Sequence, residues 1–138
     1  MSEEHGLPST PAPATGSAAT DAEHGIQLGL LDASIDALSG GDPGAIELVE
    51  QLHTYSEAHF LSEQLLMRMA ARANYEGHVE QHVQLMQDLD RARAELGNDR
   101  ASAAQGILED HRISLLEHIR SWDRSIEEIP QPVSKAAG

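Results

Sequence analysis

The chain reads as an all-α, antiparallel up-down-up-down four-helix bundle, and three observations predict it. Apolar residues recur at steps of three, four and seven in four separate segments, the period of helices that bury one face. The links between the segments are short and carry Gly, Asn, Asp or Pro, which end each helix and return the chain along its neighbour. The apolar residues make up 40% of the chain but include only one Phe, one Trp and two Tyr. A core of Leu, Ile, Val, Ala and Met suits helix packing better than strands.

Residues 1–19 are rich in Pro, Ser, Ala, Gly and Thr and offer almost nothing to bury, so they are expected to form a disordered tail. The bundle is expected over residues 20–129. Helix 1 should run from about Asp21 to Leu38, with Ile26, Leu30, Ile35 and Leu38 facing inward. The Ser39-Gly40-Gly41-Asp42-Pro43-Gly44 cluster then breaks the chain. Helix 2 should extend from Ala45 to about Ala73, with Leu52, Tyr55, His59, Leu66 and Ala70 on its inner stripe. Asn74 to Gly77 separate it from helix 3, expected from His78 to Leu96 with His78, His82, Leu85 and Leu89 in line. Gly97 is a natural left-handed C′ residue. Asn98 or Asp99 could cap helix 4, which should reach about Glu128 through Ile107, His111, Leu115, His118 and Trp122. Pro130 and Pro132 close it, leaving residues 130–138 as a second tail.

Composition removes several functions. Without cysteine there are no disulfides, thiolate nucleophiles or iron–sulfur ligands, so any metal must be held by imidazole and oxygen. A net charge of −14 with only nine Lys and Arg argues against nucleic-acid binding, which needs a basic face. No segment approaches the roughly 18 consecutive apolar residues of a membrane span. Acidic Glu3 and Glu4 stand where a secretory signal would carry positive charge, and a cytoplasmic protein away from the membrane is expected.

Seven residues suggest chemistry. His59 and Glu63, and His78 and His82, are each four apart, which places both members of a pair about 40° apart around a helix and within reach of one metal ion. His24 and His118 lie on the inner stripes of helices 1 and 4. Asp123 follows His118 by five residues, roughly 140° around an ideal helix, so both can point inward only across a local bulge. Five imidazoles and two carboxylates exceed what one ion takes and suit a pair of iron, manganese or zinc ions. With the carboxylates bridging, the nitrogens divide three and two, and one metal keeps an open position. His5 falls in the tail. His53 is six residues before His59 and on another face, and His111 is roughly 10 Å along the axis from His118. Those last two read as surface or packing residues.

At this point the chain resembles a bacterial hemerythrin. D21-A-E-H24, Y55-S-E-A-H59-F60-L-S-E63, H78-V-E-Q-H82 and H118-I-R-S-W-D123 are similar to that family's four ligand motifs in order and separation. The resemblance implies two non-haem iron ions with an oxo or hydroxo bridge, and reversible O2 binding as carrier, store or sensor. His78, His82 and His118 would hold one iron, His24 and His59 the other, and Glu63 and Asp123 would bridge. Phe60 and Leu115 would line the O2 pocket. Ser114 stands where the family commonly has Trp, and the expected result is easier solvent access.

The main rival is a di-iron enzyme acting on peroxide or nitric oxide with the same ligands. Ferritin-type iron handling relies on repeated Glu-x-x-His, a spacing found here only at Glu50 and His53. A purely structural bundle leaves the seven ionisable groups on inner stripes unexplained, because burying them unpaired is costly. No protein partner is indicated.

Overall fold

The computed structural model describes residues 12, 14, 15, 18–70 and 73–123. Four α-helices follow in order: α1 (Ala18–Ser39), α2 (Ala45–Met69), α3 (Tyr75–Gly97) and α4 (Ala101–His118), the last passing directly into a π-helical turn (Ile119–Asp123). Each helix packs on two neighbours, α1 on α2 and α4, α3 on α2 and α4. This is the expected antiparallel four-helix bundle, and no strand occurs among the described residues. Leu31, Leu52, Leu89 and Leu108, one from each helix, are completely buried and form its apolar centre. Arg112 on α4 reaches Asp32 on α1 at 2.7 Å and fixes the alignment of these two helices. None of the described helices is long and apolar enough to cross a membrane.

Helix ends differ from expectation where backbone hydrogen bonds set them. α1 begins at Ala18, three residues before Asp21. Asp21 stays in its first turn, where the negative charge suits the helix dipole, and its Oδ1 accepts from the Thr15 amide and hydroxyl at 2.9 and 2.8 Å. Apart from Ala12, Ala14, Thr15, Ala18 and Ala19, the expected tail 1–19 lies outside the described residues. So do the tail 130–138 and the expected extension of helix 4 to Glu128. The α1–α2 link turns at Gly41, whose φ of +69° is a glycine conformation. α2 stops at Met69 rather than Ala73.

α3 runs through Gly97, so the left-handed position falls at Asp99, with φ of +62°. The Arg100 amide bonds back to the Glu95 carbonyl at 2.8 Å, the closure that lets a non-glycine residue end a helix this way. Arg100 is the N-cap of α4 and makes no side-chain cap bond, which replaces the expected Asn98 or Asp99.

Two inner stripes also need correction. On α1, His24, Gln27, Leu28, Leu31, Ser34 and Leu38 turn inward, and Ile26, two residues from His24 and so on the opposite side, is 52% exposed. On α2 the inward line runs Leu52, Ser56, His59, Glu63, Met67. A four-residue step from Glu63 selects Met67, so Leu66 and Ala70 face out. The α3 stripe of His78, His82, Leu85 and Leu89 is buried as expected.

Candidate metal centre

One end of the bundle gathers seven ionisable side chains. His24 (α1), His59 and Glu63 (α2), His78 and His82 (α3), His118 (α4) and Asp123 (the π turn) are all at least 97% buried. The π turn supplies the bulge that the five-residue step required: one extra residue per turn brings Asp123 back to the face of His118, with Oδ1 2.9 Å from His118 Nε2. Trp122 beside it lies over Gly77, where a Cβ would come within 3.0 Å of the indole, and its ring is 5.4 Å from that of His78.

The two carboxylates divide the histidines. Glu63 Oε2 is 2.8 Å from His59 Nε2 and 3.2 Å from His24 Nε2, and its Oε1 is 3.0 Å from His82 Nε2 and 3.9 Å from His78 Nε2. Asp123 repeats the division, with Oδ2 3.0 Å from His24 and Oδ1 2.9 Å from both His78 and His118. Each carboxylate therefore turns one oxygen to a three-imidazole set and the other to a two-imidazole set. One atom from each of Glu63, His78, His82, His118 and Asp123 falls within 4.8 Å of all the others, and the same holds for His24, His59, Glu63 and Asp123.

A cation fits this geometry better than protons alone. His59 Nε2 and His118 Nε2 stand at contact distance from carboxylate oxygens, yet they and Asp123 Oδ2 are buried without an aligned hydrogen bond. Buried polar atoms are nearly always satisfied. Contact distance without donor alignment is what atoms show when they surround an ion. Outer partners then fix the rings: His59 Nδ1 donates to Glu23 Oε1 at 2.7 Å and His82 Nδ1 to Gln64 Oε1 at 2.8 Å, an arrangement that orients metal-binding imidazoles. Phe60 stacks on His82 with ring centroids 4.3 Å apart, and Tyr55 lies parallel to His59 at 6.5 Å.

Electrostatics reflect the crowding. Burial disfavours charge on His24, but hydrogen bonds and negative charge from Asp123 and Glu63 outweigh it and raise its pKa to about 9. His59 is raised in the same way, against burial, by Glu63 and Glu23. At His82 burial wins, aided by the neighbouring His118 and His78, and the pKa is lowered despite Glu63. Burial would raise the two carboxylates, yet the imidazoles of His24, His59 and His82 bring Glu63 down to about 2, and those of His118, His24 and His78 hold Asp123 well below the usual range. Except at His82, these shifts pair positive with negative charge in a space closed to water, a role a metal ion can assume.

Of the three expected pocket residues, Ser114 alone turns outward. Phe60 and Leu115 are buried at 2% and 0% exposure. Ser114 is exposed and lines an outer groove between α3 and α4 with Gln81 and Gln84. Leu115 and Ile119 occupy the inward line of this segment, and a helical step of about 100° carries Ser114 outside. Ser114 therefore stands on the outside of the bundle rather than among the pocket residues where it was expected. His53 and His111 stand apart from the centre, paired with Asp90 at 2.8 Å and Asp88 at 3.0 Å. His111 is fully buried, so it packs rather than facing solvent.

Sequence reasoning missed Glu23, Gln64 and Gln27, the last completely buried with its amide Nε2 donating to Ser56 Oγ at 3.0 Å. Glu23 meets its partner only through the register between α1 and α2. Its adjacency to His24 was the one signal available. Polar Gln27, three residues after His24 on the inner stripe, was the signal for the buried pair.

Fold and donor set together point to a cation-binding helical bundle whose candidate ligands come from every helix. The hemerythrin HHE cation binding domain matches residues 15–128, most of the chain, and the protein belongs to that family. No curated protein and no solved structure gave a match.

Proposed function

We propose that the seven side chains hold two iron ions with an oxo or hydroxo bridge, and that the protein binds O2 reversibly. The observation that carries this reading is the division of both carboxylates: Glu63 turns Oε1 to His82 and His78 and Oε2 to His59 and His24, and Asp123 turns Oδ1 to His78 and His118 and Oδ2 to His24. On this reading the first ion has three nitrogens and the second two, so the second keeps a position for an exogenous ligand. Iron held there in its reduced form would supply the electrons that O2 binding needs.

The chain's own residues do the rest. Glu63 and Asp123 would be shared between the ions, and Glu23 and Gln64 keep the His59 and His82 rings from turning. Phe60, Leu115 and Ile119, all buried, exclude bulk water that would otherwise deliver protons and displace the ligand. The division of the chain into residues 1–19, a bundle over 20–129 and residues 130–138 belongs to the same proposal.

Aeration of reduced, iron-loaded protein tests this directly. A new visible absorption band should appear and vanish on removal of O2, over repeated cycles. Irreversible bleaching on the first exposure, or no spectral change, contradicts reversible binding.

A further inference from the structure

The layer one step toward the middle of the bundle from the metal cluster contains a polar pair that neither the ligand set nor the core requires. Gln27 is three residues after His24, Ser56 three before His59, Leu85 three after His82 and Leu115 three before His118. Three residues rise about 4.5 Å along a helix, so these four side chains form the floor beneath the imidazoles. All are buried, and Gln27 and Ser56 have zero exposure. Leu85 and Leu115 make the α3 and α4 half of the floor apolar, and Gln27 with Ser56 makes the α1 and α2 half polar. That polar half lies under His24 and His59, the two-imidazole side.

Ser56 anchors the Gln27 amide through its Nε2, and Gln27 Oε1 is left buried without a hydrogen-bond partner. Leaving a buried carbonyl oxygen unsatisfied is costly. A leucine here would fill the volume without that cost. Helical side chains lean toward their helix N-terminus, and for Gln27 that direction is toward His24. The free oxygen is an acceptor, and it asks for a ligand carrying an O–H group.

We infer that Gln27 Oε1 is a ligand-discriminating hydrogen-bond acceptor for the open position of the two-imidazole metal. It favours a small O–H-bearing ligand of the hydrogen peroxide class over ligands that have no proton to give. This rests on the reading that the His24 and His59 metal takes an exogenous ligand. It deepens that reading by naming a residue and a ligand class.

The test uses the oxidised, iron-loaded full chain, titrated optically with hydrogen peroxide and, separately, with azide, an anion without an O–H donor. Gln27→Leu should weaken hydrogen peroxide binding roughly tenfold, the worth of one hydrogen bond to a buried acceptor, and leave azide affinity within about twofold. Ser56→Ala removes the anchor with little loss of volume, and should weaken peroxide binding in the same direction by a smaller factor, so the proposal stays testable should the leucine variant fold poorly. Iron content of both variants should match the parent. Peroxide affinity unchanged in both variants, or azide affinity falling as far as peroxide affinity, overturns the inference and leaves the di-iron reading intact. A parent protein that takes up neither ligand overturns that reading and this inference with it.

Discussion

Replacing Glu63 with glutamine is expected to strip both metal ions, while replacing His111 with leucine removes neither. Among the described residues Glu63 is the one carboxylate whose two oxygens between them lie within 3.2 Å of His24, His59 and His82. Glutamine keeps its shape but exchanges one bridging oxygen for an amide nitrogen that cannot bind a cation. On the proposed two-ion reading one ion loses its ligand oxygen, and both lose the negative charge that offsets their own. Alteration of a mere outer partner of a metal ligand already costs 10–100-fold in affinity, so loss of a shared ligand should exceed roughly a hundredfold for each site. Metal analysis after desalting should find well under one ion per chain. His111→Leu exchanges a fully buried imidazole paired with Asp88 for an apolar group of similar size. Asp88 is partly exposed and keeps Arg91 as a partner at 2.8 Å, so its charge is not stranded. Its metal content should equal the parent's, and a variant that loses metal as Glu63→Gln does would mean the centre extends a further two turns along α4.

Removal of the metal should lower thermal stability steeply, by an amount that grows with pH. In the metal-free chain His24 is protonated up to about pH 9, and His59 is shifted the same way. A group whose folded pKa is raised contributes stability that is fully present below its unfolded value, about 6.5 for His, and is lost as pH climbs through the folded value. The lowered pKa values of Glu63 and Asp123 contribute stability that is present above about pH 4.5 and lost on acidification. His82, lowered by burial, weakens the fold as pH falls below about 6.5. The metal-free protein should therefore grow less stable from pH 6.5 to 9. Metal-loaded protein behaves oppositely, because cations replace the imidazole protons and bind more tightly as proton competition falls. At a thousandfold excess over its dissociation constant each ion adds about 4 kcal/mol, which for a bundle of this size raises the melting temperature by roughly 15 °C or more. The gap in melting temperature between loaded and metal-free protein should widen between pH 6 and 8.5. Scanning calorimetry that finds the gap constant or shrinking contradicts the exchange of protons for metal.

Much of the centre could be read from the sequence because it obeys helical arithmetic. His59 with Glu63 and His78 with His82 are one turn apart, and any helix that buries one member buries the other. The awkward His118 to Asp123 step called for a bulge, and the π turn at Ile119–Asp123 supplies it. Periodicity failed where an apolar residue is not a buried one. Ile26 looked like core and is half exposed, because the stripe on α1 is set by His24 and Gln27, which no hydropathy pattern selects. Ser114 failed for a related reason: a position relative to His118 does not say which way the side chain turns. Glu23, Gln64 and Asp88 were hidden because each finds its histidine across a helix interface, and inter-helix register is fixed by packing rather than by spacing within one helix. The chain break at Asp99 was misplaced by two residues, since a Schellman-type closure let α3 continue through Gly97.

X-ray absorption on protein purified from iron-supplemented cells, with total metal counted on the same sample, tests the central claim most directly. The account predicts two irons per chain, nitrogen and oxygen ligands only, and iron scattering iron at a separation within about 4 Å. A single iron per chain, zinc in its place, or two irons that do not see each other would contradict it.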